Sequence, residues 1–117
     1  MVVAILDDLM FTSRIRNAAM QLGVTVAFAS SRDAALAAIR DRRPALVILD
    51  LNHPRADPLG IVSALQNDAA LQGTPTVGFV SHVQTETIEA ARAAGVGEVM
   101  ARSAFTQRLP ELLERGR

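Results

Sequence analysis

Residues 45–50, ALVILD, are five aliphatic residues followed by an aspartate. A strand so uniformly apolar is typical of a parallel sheet covered on both faces, because a half-exposed strand alternates apolar with polar residues. We therefore expect a buried strand over residues 45–49, with the carboxylate of Asp50 just beyond its carboxyl end. Parallel strands need long crossovers, usually helices, so the flanking sequence should alternate between strands and helices.

Short apolar runs on both sides of this segment predict four more strands. They cover residues 2–6, 24–29, 76–80 and 98–101. Five strand–helix units in series predict an α/β fold: a doubly wound, five-stranded parallel sheet with helices on both faces. Right-handed crossovers favour the flavodoxin-like strand order 2-1-3-4-5 at this length.

Helix-spaced apolar residues fill the intervals between the predicted strands. Gly23 is expected to end the first helix, and Ser30 or Ser31 to cap the second. Residues 85–94 predict the fourth helix. Pro110 is expected in the first turn of the last helix, where its missing N–H has no cost.

Composition restricts the class of protein. The chain has 117 residues, no cysteine, and 12 basic residues balanced by 12 acidic ones. The length fits one domain over residues 1–117 with no output domain, and no apolar run approaches the roughly 20 residues of a membrane span. No basic leader precedes the first acidic residues. We expect a cytoplasmic protein that binds neither nucleic acid directly nor membrane.

Polar residues follow four of the five predicted strands. In open α/β sheets, ligands bind outside the carboxyl ends of the strands. The residues that should meet there are Asp7, Asp8, Asp50, Ser81, His82, Arg102 and Ser103. Three carboxylates at one edge repel each other, and a hard divalent cation with oxygen ligands would compensate their charge.

The chain resembles the receiver domains of two-component response regulators over nearly its whole length. The matching segments are ILDDL (residues 5–9), LVILDLNHP (46–54), GFVSH (78–82) and GVGEVMARSAF (95–105). The resemblance also covers Pro54 and Asp57 in the loop after the third strand.

The resemblance implies a signalling role. Asp50 would accept a phosphoryl group from the phosphohistidine of a histidine kinase or phosphotransfer protein, giving an acyl phosphate. Mg²⁺ would be held by Asp7, Asp8, Asp50 and the backbone carbonyl of Asn52, and Ser81 would bond a phosphoryl oxygen. Such a domain is no enzyme beyond Mg²⁺-dependent self-phosphorylation and dephosphorylation, and it acts on a downstream protein that the sequence does not name.

One departure from the family concerns the basic residue after the fifth strand. The family has a lysine there, and this chain contains no lysine. Counting from Gly95 places Arg102 at that position, whereas counting from Ser81 places Ser103 there. Arginine keeps the positive charge in a planar fork, whereas serine loses the charge.

A second departure concerns the switching residues. The aromatic residue of the family's fifth strand would fall at Val99 or Met100, and neither is aromatic. The alternative function is therefore a degenerate pseudo-receiver, a protein-binding scaffold that works without phosphorylation. In either case the fourth helix, fifth strand and fifth helix are the expected partner surface, and a homodimer could use the same surface.

Other functions have less support from the residues. There is no G-x-G-x-x-G fingerprint and no flavin phosphate loop, and His53 stands one place too late for a cobalamin motif. His53 and His82 are interpreted as loop histidines, since no ligand spacing links them. Met20 and Met100 are interpreted as core residues.

Overall fold

Strands and helices alternate along the chain in the computed structural model, which describes residues 1–53, 55–81 and 84–117. The strands are β1 (Val2–Ile5), β2 (Val26–Ala29), β3 (Leu46–Asp50), β4 (Thr76–Val80) and β5 (Glu98–Ala101). The helices are α1 (Leu9–Leu22), α2 (Arg32–Arg42), α3 (Pro58–Gln66), α4 (Thr85–Ala94) and α5 (Arg102–Glu114). None of the helices described is long and apolar enough to cross a bilayer.

All neighbouring strands pair in parallel, in the order β2-β1-β3-β4-β5. This confirms the predicted fold class and strand order. β3 lies at the centre, and its residues Leu46 to Leu49 are at most 1% exposed. Val47 and Leu49 pack into one hydrophobic core, whereas Leu46 and Ile48 pack into a second. The uniformly apolar sequence of β3 is thus explained by helices on both faces.

The ends of several elements differ from the prediction by one or two residues. β3 extends to Asp50, which lies in register with Phe79 of β4. Asp50 is therefore the last residue of the central strand rather than the first residue after it. Gly23 ends α1 in the left-handed conformation, and Ser31 is the residue that caps α2, with its hydroxyl 3.2 Å from the N–H of Ala34.

Two sequence-based expectations are wrong. Pro110 lies inside α5, eight residues after Arg102, because this helix begins directly at the end of β5. Met20 is 73% exposed, because α1 turns Phe11, Ile15 and Ala19 toward the core and the next position faces solvent. Met100 is partly buried against the second core, as expected.

Candidate functional site

Asp50 is half-buried at the carboxyl end of the central strand. Its Oδ1 accepts a hydrogen bond of 2.9 Å from the backbone N–H of Asn52. Among the described residues, its other carboxylate oxygen has no hydrogen-bond donor and no ion-pair partner. Burial raises the pKa of Asp50 above its ordinary value. The hydrogen bond from Asn52 and the positive charge of Arg102 oppose this rise, and the negative charge of Asp8 adds to it.

Asp8 lies at the start of α1 and makes two hydrogen bonds. Its Oδ1 accepts the N–H of Phe11 at 3.0 Å, so Asp8 is the N-cap of this helix. Its Oδ2 accepts from Nη2 of Arg102 at 2.8 Å. The bond from Arg102, followed by the bond from Phe11, holds the pKa of Asp8 below its ordinary value. Asp8 is therefore an ionised carboxylate that already has a cation beside it.

Asp7 precedes this cap and turns toward a different arginine. Its Oδ2 forms an ion pair with Nη2 of Arg55, in the loop between β3 and α3. Both side chains are well exposed, 47% for Asp7 and 74% for Arg55. The structure thus brings Asp7, Asp8 and Asp50 to one edge of the sheet, but it directs the first two carboxylates to arginines rather than to Asp50.

Arg102 is the first residue of α5 and lies over an aromatic cluster. Its guanidinium carbon is 4.2 Å from the centroid of the Phe11 ring. Phe11, Phe79 and Phe105 pack together with centroids 4.7 to 5.6 Å apart. Ser103, the other candidate for this position, is exposed in the first turn of the helix. Of the two residues, Arg102 is the one that contacts the acidic site.

The side chain of Asn52 links two of the loops at this edge. Its Oδ1 accepts a hydrogen bond of 2.7 Å from the backbone N–H of Ser81, just after β4. This contact was not predicted, because only the backbone carbonyl of Asn52 and only the hydroxyl of Ser81 were expected to take part in the site. An asparagine directly after a buried strand is a residue type that bonds nearby backbone groups, and this was the available signal.

The loop after β3 contains two further residues of the prediction. His53 is 4% exposed, and its Nδ1 accepts from the N–H of Arg55 at 3.3 Å, so it is a buried loop residue. Asp57 caps α3 by accepting from the N–H of Gly60 at 3.2 Å. The predictions on Pro54 and His82 concern positions that lie outside the described residues.

The carboxylates suit Mg²⁺ in their chemistry, since it prefers hard oxygen donors. Burial is the main reason that the pKa of Asp50 is raised, and the negative charge of Asp8 adds a smaller contribution in the same direction. However, no group of three or more aspartate, glutamate or histidine side chains in the described part of the chain is arranged to hold a metal ion. The donor set therefore fits the ion only if the ion replaces Arg102 at Asp8 and Arg55 at Asp7.

Comparison with known proteins gives one family. The family model described as "Response regulator receiver domain" matches residues 2–114. No curated protein matches the chain.

Solved structures share the fold at low sequence identity. The chemotaxis response regulator CheY4 of Vibrio cholerae is 21% identical, with a TM-score of 0.83 over 99% of this chain and 97% of that chain. The receiver domain of NtrX from Brucella abortus is 25% identical, with a TM-score of 0.82 over 99% and 97%. The Mn²⁺-bound form of response regulator Rcp1 is 15% identical, with a TM-score of 0.78 over 94% and 89%.

Proposed function

Because this chain belongs to the response regulator receiver domain family of two-component signalling, we propose that Asp50 accepts a phosphoryl group. The donor would be the phosphohistidine of a histidine kinase or a phosphotransfer protein. The observation that carries the proposal is the position of Asp50 at the end of the central strand, half-buried, with one oxygen fixed and the other unbonded among the described residues.

The carboxylate of Asp50 is suited to act as a nucleophile. The N–H of Asn52 orients Oδ1, which leaves Oδ2 to attack the phosphorus atom. A new P–O bond forms as the P–N bond to the donor histidine breaks, and the electron pair of that bond returns to the imidazole nitrogen. Partial burial removes water from the carboxylate, which favours attack once the donor is bound.

Positive charge is needed around the transferring group. Mg²⁺ held by Asp7, Asp8, Asp50 and the backbone carbonyl of Asn52 would supply charge neutralisation when bound. Arg102 would supply a second positive charge, since its charge already acts on Asp50 and opposes the rise in the pKa of that carboxyl. The hydroxyl of Ser81 would bond a phosphoryl oxygen at the end of β4.

The second candidate function is a protein-binding scaffold that needs no phosphate. It is favoured by the ion pairs on Asp7 and Asp8, which balance these charges without any ligand. The proposed partner surface is α4, β5 and α5. There Glu98 and Glu111 form ion pairs with Arg108 and Arg115 in one exposed network. A second copy of the chain is an alternative occupant of this surface.

The decisive experiment is intact-mass spectrometry after incubation with Mg²⁺ and acetyl phosphate, and separately with a phosphorylated histidine kinase. We expect a gain of one phosphoryl mass that Asp50→Asn abolishes. The matched control is Asp33→Asn, an exposed aspartate in the first turn of α2, which should gain the mass normally. If the unaltered chain gains no mass from either donor, phosphoryl acceptance is wrong and the scaffold function stands.

A further inference from the structure

Two arginines already neutralise two of the three carboxylates at the acidic edge of the sheet. Arg102 pairs with Asp8 and Arg55 pairs with Asp7. We propose that these arginines are resident counter-cations, which a divalent cation must displace before it binds. The inference deepens the proposed function, on which it rests for the identity of the site, and it concerns how tightly that site binds metal.

Charge balance gives the physical reason. Three carboxylates and two guanidinium groups leave one net negative charge, which belongs to Asp50. A divalent cation that approaches this site meets weaker attraction than it would meet from three unpaired carboxylates, and the arginines add direct repulsion. The expected consequence is weak affinity for divalent cations, limited by the arginines rather than by a shortage of oxygen donors.

Arg102 is the better held of the two. Its guanidinium bonds Asp8 at 2.8 Å and lies over the ring of Phe11, whose own N–H bonds the same carboxylate. Contact with an aromatic face adds to the attraction of a cation and restricts the motion of a long side chain. The Arg102 side chain is 35% exposed. Phe11 is therefore a positioning residue, since it keeps the positive charge of Arg102 at Asp8.

Arg55 has a weaker hold on the site. Its side chain is 74% exposed, and the chain anchors it through its backbone, where its N–H donates to the buried His53. Exposed pairs of this kind contribute little and are screened by salt. Removal of Arg102 should therefore change metal affinity more than removal of Arg55.

The test is titration of the full chain with Mn²⁺, with free Mn²⁺ measured by electron paramagnetic resonance, at low and at high salt. Arg102→Gln should tighten Mn²⁺ binding by roughly two- to fivefold at low salt, the range expected for loss of one competing surface ion pair. Arg55→Gln should give a smaller increase in the same direction. Phe11→Leu keeps Arg102 but removes the aromatic ring beneath its guanidinium, so this variant should show part of the increase in Mn²⁺ affinity expected for Arg102→Gln.

Arg115→Gln is the matched control. Arg115 pairs with Glu98 and Glu111 on the proposed partner surface, so its loss should leave Mn²⁺ affinity unchanged. Circular dichroism of each variant would show whether its fold is intact. If Arg102→Gln fails to fold, displacement can be followed in the unaltered chain, where the Nε–H resonance of Arg102 should shift on addition of Mg²⁺.

Two outcomes would overturn the inference. One is unchanged or weaker Mn²⁺ binding by a folded Arg102→Gln variant, and the other is an Arg102 resonance that stays fixed at saturating Mg²⁺. Neither outcome bears on whether Asp50 gains a phosphoryl mass. Failure of the inference is therefore distinguishable from failure of the proposed function.

Discussion

Gly78, in the middle of β4, is a position where one added methyl group should disturb the loop that carries the acidic site. A Cβ on Gly78 would lie 2.7 Å from Cδ1 of Leu51, 2.9 Å from its Cγ and 3.0 Å from its Cδ2. Carbon atoms in contact ordinarily stand about 3.5–4.0 Å apart. Leu51 directly follows Asp50, and its N–H is bonded to the carbonyl of Phe79 at 3.0 Å, so its side chain must move while its backbone is held.

The size of the effect follows from two opposing contributions. Overpacking of a core by a methyl group costs about 1–3 kcal/mol. Alanine in place of glycine recovers about 0.5–1 kcal/mol in the interior of a strand. Leu51 is 8% exposed and borders an open depression between α3 and α4, which gives its side chain room to rotate. We therefore expect Gly78→Ala to lower the free energy of unfolding by about 0.5–2 kcal/mol.

The sign of the effect should reverse when Leu51 is shortened. Leu51→Ala removes all three atoms of the clash and by itself costs about 2–5 kcal/mol, as buried leucine truncations do. In that background Gly78→Ala should stabilise the chain by about 0.5–1 kcal/mol, because only the entropic gain of replacing glycine remains.

The free energy of unfolding would be measured for the unaltered chain, for Gly78→Ala, for Leu51→Ala and for the double variant. Urea unfolding followed by far-ultraviolet circular dichroism is suitable, since the chain has no tryptophan or tyrosine for fluorescence. Gly73→Ala is the control, because a Cβ there meets no atom within 4 Å. The reasoning is refuted if Gly78→Ala is as stable as Gly73→Ala, or if it costs the same with Leu51 and with Ala at position 51.

Two other changes should alter stability in predictable directions. Asp50→Asn should raise the free energy of unfolding at neutral pH, because burial raises the pKa of Asp50 and its ionised form therefore opposes folding. The unfavourable contribution of ionised Asp50 to folding is absent below its ordinary pKa of 3.8, and it grows as the pH rises toward the higher pKa that Asp50 has in the folded chain. The urea midpoints of Asp50→Asn and of the unaltered chain should therefore converge on acidification. Pro110→Ala should stabilise the chain by about 1–2 kcal/mol, since proline inside α5 leaves a carbonyl of the preceding turn without its N–H partner. A thermal midpoint that fails to rise would contradict this.

Much of the fold could be predicted from local patterns. The aliphatic residues of β3 demanded burial on both faces, and a parallel sheet delivers the residues after each strand to one edge. Asp7, Asp8, Asp50 and Arg102 therefore reach the same edge as expected. Pro110 was misplaced because the start of α5 carries no capping side chain, so the sequence had no local signal for a helix beginning at Arg102.

The pairing of side chains at the site could not be predicted in the same way. The contact between Arg55 and Asp7 joins residues 48 positions apart, and that between Arg102 and Asp8 joins residues 94 apart. Strand order determines which loops are neighbours, whereas rotamers and the ring of Phe11 determine which carboxylate each guanidinium meets. Three acidic residues at one edge suggested a shared cation, but no local pattern indicates how two arginines from distant parts of the chain compete with that cation.

The exposure of these ion pairs determines what they mean for function. A fully buried arginine–carboxylate pair is costly to break, because one partner is left as an unpaired charge in a region of low dielectric. The side chains of Arg102 and Asp8 are 35% and 42% exposed, so water can replace either partner when the pair opens. A divalent cation that bonds directly to carboxylate oxygens can therefore compete with Arg102. Arg102 is then expected to lower the affinity of the site for metal without closing the site to metal.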